Sequence, residues 1–200
     1  GEPRPYDDPL WEELLDQLTW EEMTSILNNG YFGTKAIASI GAPATKHQDS
    51  DTGCIGTYLN WNKKPALNCN NDIVAATRNL PLIEEYGEQW GEDCYWAGIQ
   101  FLYGTGGNMH RSPYSGRNYG YYSEDPVICG YTAAYVNKGM QSMGAQMFMK
   151  HCFLNDQEVN RCGASSWANE QTCREVYLKT YQICIEVGNL QGVMTALNRI

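Results

Sequence analysis

The sequence predicts an α/β fold of parallel strands, an incomplete (β/α)8 barrel of the TIM type. Three observations predict it. Strand-like and helix-like segments alternate from residue 72 onward, which implies parallel strands joined by right-handed crossovers. Helix-to-strand joints are short, at Gly98, Gly144 and Gly188–Gln191. Strand-to-helix segments are long and polar, as in barrels whose sites are built from the loops at the strand C-terminal ends.

The elements follow in order. Asp8-Pro9 opens a helix to about Gln17, with Leu10, Trp11, Leu14 and Leu15 on its apolar side. Thr19 caps a second helix, with Glu22 three residues on as a capping box requires, and Asn28-Asn-Gly30 ends it. A loop carries Ile40–Thr45 and the acidic stretch Gln48–Gly53. Residues 56–71 show no period and read as loop, and Asp72–Thr77 reads as a short strand. Pro81 suits a helix start, and Ile83, Gly87, Trp90, Cys94 and Ala97 recur at helical spacing. A strand at 99–103 leads into the long loop 106–126. The next helix, about 127–143, places Cys129, Ala133, Val136, Met140 and Met143 on one face, and Gly144 ends it. Ala145–Met149 is a strand. Asn169 caps a helix with Cys173, Val176, Ile183 and Val187 in a stripe, and 192–196 is the last strand.

Two hundred residues suit one domain with a sizeable core. A net charge of -9 argues against a nucleic-acid partner, which would want a basic face. There is no run of about 18 apolar residues to span a membrane. The opening Gly1-Glu-Pro-Arg-Pro-Tyr-Asp-Asp8 is no signal peptide, so a cytoplasmic location is expected, with secretion as the alternative. The eight cysteines, with no C-x-x-C pair, read mostly as buried thiols of a reducing compartment; disulfides of a secreted protein are the alternative. His47, His110, His151, Cys152 and Cys162 match no zinc spacing. Gly104-Thr-Gly-Gly107 lacks the third glycine of a dinucleotide loop, since Met109 stands there.

The loop Gly106–Pro126 holds two arginines, a histidine, two asparagines and four tyrosines. Donors, acceptors and flat apolar faces together suit a polyol. Its run His110-Arg-Ser-Pro-Tyr-Ser-Gly-Arg-Asn118, followed by Tyr122-Ser-Glu-Asp-Pro126, resembles the signature of the N-terminal domain of glycoside hydrolase family 3. That family contains β-glucosidases and β-xylosidases. Lys150-His-Cys-Phe-Leu-Asn-Asp-Gln-Glu-Val-Asn-Arg161 is similar to its Lys-His-Phe-x-x-Asn-Asp-x-Glu-x-x-Arg, and Val193-Met-Thr-Ala-Leu-Asn198 to its Val-Met-x-x-Tyr-Asn. The resemblance covers roughly residues 10–200 and identifies the whole chain, 1–200, as an N-terminal barrel domain of this type, with helices at 9–29 preceding the alternation.

The resemblance implies a site. Asp51 would accept from sugar hydroxyls, although Thr52-Gly53 stands for the family's Gly-Pro; a plain turn former is its bland alternative. Arg117, Lys150, His151 and Arg161 would bind substrate, and Met194 of the third motif joins them. Successive strand side chains face opposite ways, so Lys150 and His151 can share a pocket only where the backbone is irregular, which is expected at 150–153. Glu124 and Asp125 read as structural, at a helix N-terminus that favours negative charge. Gly120 and Leu197 replace a usual Glu and Tyr, Thr105 a usual Pro, and Arg78 a frequent aromatic, so a non-catalytic relative is the alternative function.

The implied reaction is retaining hydrolysis of a terminal β-linked glucosyl residue, with a carbohydrate as partner and neither metal nor organic cofactor. No catalytic residue is assigned within the chain. The family's nucleophile, an Asp in a Ser-Asp-Trp-like motif, and its acid/base fall beyond Ile200. The rest of that longer chain is an expected partner, as is a second copy. Purified residues 1–200 are therefore expected to release no nitrophenol from aryl β-glucoside or β-xyloside above background, and to be marginally stable, since such a barrel needs about 250 residues. Turnover abolished by changing one of the chain's own acidic residues would contradict this.

Overall fold

The computed structural model describes residues 4–54 and 66–200. The loop expected over 56–71 lies partly outside the described residues. The chain divides into two compact units, Gly1–His47 and Gln48–Ile200.

The first unit contains α1 (Leu10–Leu15), α2 (Trp20–Asn29) and the short antiparallel pairing of β1 (Gly33–Thr34) with the start of β2 (Thr45–Asp49). The capping box read from Thr19 and Glu22 is present: the Thr19 hydroxyl accepts from Glu22 N, and Glu22 accepts from Thr19 N. Glu22 also accepts from Ser39 N at 2.9 Å, tying the helix start to the following loop.

The second unit is mixed α/β with a curled sheet in which β3 (Phe101–Gly106), β4 (Gln146–Cys152) and β5 (Gly192–Thr195) run parallel. The end of β2 leads into this unit, where Ser50 N donates to Tyr103 O at 3.2 Å. Two helices precede β3: α3 (Asn71–Ala76) and α4 (Leu80–Ala97). The strand expected at Asp72–Thr77 is thus a helix, and strand–helix alternation starts at β3 rather than at residue 72. Asn71, Val74 and Ala75 are the buried residues of the segment, a helical i, i+3, i+4 face rather than alternate positions. A short apolar run cannot be told from a helix by period alone.

Helix α5 (Pro126–Ser142) follows the long loop. Asp125 caps it, accepting from Val127 N at 2.7 Å and Ile128 N at 3.0 Å. This gives Asp125 the structural role read from its position. The segment from Asn169 begins as α6 (Glu170–Thr172), widens into a π-helical stretch at Cys173–Tyr177, and continues as α7 (Leu178–Gly188).

Each strand sorts its side chains by alternation. Leu102, Met147 and Met149 are fully buried in the cluster with Trp90, Ala133, Val136, Met140 and Cys184 of the helices. Phe148 sits on the opposite face and stacks with Phe101 and Tyr103, at centroid distances of 4.9 and 5.8 Å. Cys54, Cys94, Cys129 and Cys184 are buried thiols; Cys152 and Cys173 are half-buried, and Cys69 and Cys162 are exposed. No helix among the described residues is long and apolar enough to cross a membrane.

The crossing of α4 and α5 depends on two glycines. A Cβ at Gly87 would lie 2.3 Å from Val136 O, and one at Gly139 2.1 Å from Glu84 O. The backbones touch, so no side chain fits between them. Gly139→Val is expected to lower unfolding free energy in urea by about 1–3 kcal/mol, the usual cost of overpacking. An unchanged midpoint would show that the helices are not held this closely.

Candidate functional site

The candidate site lies where β2, β3 and β4 end. Asp51 follows β2, Arg117 lies in the loop between β3 and α5, and Lys150 and His151 are in β4 near its C-terminal end. Glu158 and Arg161 lie in the loop after β4. Asp51 is 8% exposed, and Lys150 and His151 are each 3% exposed.

A charged side chain this deep survives only with partners, and here the partners form a line. Lys150 Nζ is ion-paired with Asp49 and lies 3.2 Å from Asp51 Oδ1. Asp51 Oδ2 is 3.6 Å from an Arg117 guanidinium nitrogen. Arg117 Nε donates to Glu158, whose other oxygen is 3.2 Å from Arg161. Anion and cation alternate from Asp49 through Lys150, Asp51, Arg117 and Glu158 to Arg161. Both contacts of Asp51 exceed the roughly 2.7–2.9 Å of a charge-assisted hydrogen bond, so its oxygens retain acceptor capacity. Burial pushes the Asp51 carboxyl above its usual range, against the pull of Lys150 and Arg117. Partial burial acts the same way on Glu158, but hydrogen bonds from Arg117 and Asn155 outweigh it and hold its carboxyl below the usual range.

The irregularity expected at 150–153 is a β-bulge. Met149 pairs with Val193 and Cys152 with Thr195, so Lys150 and His151 together stand opposite the single residue Met194. Strict alternation is broken there, and both side chains are buried. The Lys150–His151 and Cys152–Phe153 peptide bonds are cis, and Leu154 has φ of 64°.

An amide–phenol scaffold holds the loops. Tyr121 Oη donates to Asn155 O at 2.8 Å and accepts from Asn108 Nδ2 and Asn155 Nδ2, each at 3.2 Å. Asn108 Nδ2 also donates to His151 O at 2.7 Å, and Asn155 N donates to Asn108 Oδ1 at 3.2 Å. Burial pushes the Tyr121 phenol up to about 12, so it remains a neutral donor. His151 Nδ1 lies 3.4 Å from that phenol oxygen. Burial, reinforced by the charges of Arg117, Lys150 and Arg161, pushes His151 down to about 3. It is a neutral imidazole at physiological pH.

The structure thus brings Asp51, Arg117, Lys150, His151 and Arg161 into one cluster. Met194 stands beside it on β5, half-buried, opposite the bulge. Sequence reasoning passed over Asp49 as a partner of Lys150, and Glu158 as the link between two arginines. Glu158 stands three residues before Arg161 within the Lys150–Arg161 motif, a signal that could have found it. Asn108 and Tyr121 lie among many turn residues and carry no such signal. Among the described residues, no group of three or more His, Cys, Asp or Glu could hold a metal ion.

The His151 shift has a consequence for stability. The folded chain keeps this imidazole neutral to about pH 3, whereas the unfolded chain protonates it near its ordinary 6.5. Stability from this residue is complete above pH 6.5 and falls as pH drops toward 3, by up to about 1.4 kcal/mol per unit. Urea denaturation between pH 7 and 4 is expected to show a flatter decline for His151→Gln than for the unmodified chain. Parallel declines would mean that His151 titrates normally in the fold.

No protein-family model matches the chain. It is 31% identical over 191 residues to a putative β-glucosidase of Schizosaccharomyces pombe, covering 94% of this chain and 23% of that protein. It is 34% identical over 192 residues to a β-glucosidase of Rhizobium radiobacter, with the same two coverages. Among solved structures, the β-glucosidase of Kluyveromyces marxianus in complex with glucose superposes with a TM-score of 0.87 at 31% identity, over 94% of this chain and 23% of that one. A GH3 β-glucosidase of Bifidobacterium adolescentis gives 0.84 at 26% identity, over 93% and 27%. The chain spans less than a quarter of the length of these curated relatives. By sequence and by fold over nearly its whole length, it is a relative of the β-glucosidases of glycoside hydrolase family 3.

Proposed function

We propose that the chain supplies the sugar-binding part of a β-glucosidase site that hydrolyses terminal, non-reducing β-D-glucosyl residues. The observation that carries this is the line of alternating charges across three strand-end loops. Adjacent hydroxyls of a pyranose can donate to one carboxylate, which Asp51 offers with capacity to spare. Lys150, Arg117 and Arg161 would donate to sugar oxygens, and neutral His151 can donate or accept. Met194 would add an apolar contact beside them.

The nucleophile is assigned elsewhere. Retaining hydrolysis needs a carboxylate nucleophile and a carboxylic acid about 5 Å apart. Asp51 and Glu158 are each engaged by two cations, a setting for binding rather than attack. Both catalytic carboxylates are therefore proposed to come from other parts of the longer protein, which would then be a partner of this segment. In the same proposal residues 1–200 form one N-terminal domain and part of a (β/α)8 barrel. Parallel strands with long loops at their C-terminal ends support that reading. A cytoplasmic setting is part of the same proposal, with secretion as its alternative. No nucleic-acid or membrane partner is proposed, and self-association is left to the longer protein.

Sugar binding without turnover is the second reading, and Gly120 favours it. A Cβ there would lie 3.1 Å from Asp51 Oδ2, so the residue abuts the binding carboxylate. The acidic side chain that related sequences place there is missing from this site.

In a protein carrying these loops, Lys150→Ala or Arg117→Ala is expected to weaken glucose binding by roughly 1.5–3 kcal/mol, the scale of a hydrogen bond to a charged group. Titration calorimetry showing unchanged affinity in both variants would remove them from the site.

A further inference from the structure

The segment that carries Asp51 also carries a cysteine with a neighbour. Cys54, three residues after Asp51, and Cys94 of α4 are both fully buried, with Sγ atoms 3.3 Å apart. Both are free thiols. Helix α4 is a firm anchor because its backbone is in contact with that of α5 at Gly87 and Gly139. We propose that Cys54 and Cys94 are an oxidisable dithiol that closes into a disulfide, cross-linking the segment that carries Asp51 to α4.

A disulfide needs the sulfurs at about 2.0 Å, so the two Sγ atoms must close from their 3.3 Å separation. The oxidant is a low-molecular-weight disulfide such as oxidised glutathione. One protein thiolate attacks a glutathione sulfur, breaking that S–S bond and releasing a glutathione thiolate. The second protein thiolate then attacks the mixed disulfide, forming the protein S–S bond and releasing the second glutathione. Two protein thiols are oxidised, one glutathione disulfide is reduced, and the two protons leave on the released thiols. The neighbouring thiol and burial both push Cys94 upward, so thiolate is scarce in the folded chain. The first exchange therefore takes place while the segment is open, and folding in the presence of oxidant is the efficient route. The cross-link closes a loop of about 40 residues and restricts the unfolded chain accordingly.

The test refolds the reduced chain from urea in a mixture of oxidised and reduced glutathione, with a parallel sample in excess dithiol reductant. Non-reducing mass spectrometry is expected to show the loss of two hydrogens, about 2 Da, with Cys54 and Cys94 peptides linked. The oxidised sample should melt roughly 5–10 °C higher than the reduced one. Cys54→Ala, which leaves a small apolar residue in the same space, should abolish both effects. Thiol alkylation of the unmodified chain in urea gives a second readout that needs no variant: Cys54 and Cys94 should be the protected pair. Overturning results would be a different linked pair, glutathione adducts on Cys69 or Cys162 alone, or full alkylation of Cys54 and Cys94 after oxidative refolding.

Discussion

A buried lysine governs this molecule's candidate site. Lys150 sits near the C-terminal end of β4 with its ammonium almost wholly removed from water, and Asp49 and Asp51 offset that burial. Removing one partner from a buried ion pair commonly costs about 3–5 kcal/mol, because the remaining charge is stranded. Positioning Lys150 therefore fixes the segment after β2. Asp51 extends the same constraint to Arg117 in the loop after β3, and Glu158 extends it to Arg161. Three loops are held in register by this line of charges together with the hydrogen bonds among Asn108, Tyr121 and Asn155.

The fold beneath prepares that line. The face of β4 bearing Met147 and Met149 is sealed against α4, α5 and α7, while Phe148 lies on the opposite face with Phe101 and Tyr103. The bulge opposite Met194 then turns two successive residues toward buried surroundings where a regular strand would bury one. Tyr121, Asn108 and Asn155 satisfy the backbone around the bulge, so the strand end is defined by hydrogen bonds as well as by charge. A neutral His151 follows first from its burial and then from the same crowding of cations, Arg117, Lys150 and Arg161, which a further proton there would meet.

Much of this was legible in the sequence. Resemblance to the family's motifs pointed to Asp51, Arg117, Lys150, His151 and Arg161 as one group, and the conflict between strand alternation and a shared pocket marked residues 150–153 as irregular. The capping box at Thr19 and the cap at Asp125 were readable because caps are local. Asp72–Thr77 was misread because a six-residue apolar segment has no period long enough to separate helix from strand; its helical face is set by contacts such as Asn71 Nδ2 donating to Gly120 O at 2.9 Å, across 49 residues. The pairing of Asp49 with Lys150 spans 101 residues and leaves no local trace. Tyr121 and Asn155 are ordinary loop residues until the chain returns and places them together.

The central claim is that this line of charges is a sugar-binding surface. A crystal structure of a protein carrying the segment, grown or soaked with glucose, tests it most directly. The account predicts sugar hydroxyls within about 3 Å of Asp51 and Lys150, with Arg117 or Arg161 donating to the same ring. Glucose seated away from these side chains, with Asp51 still engaged only by Lys150 and Arg117, would contradict it.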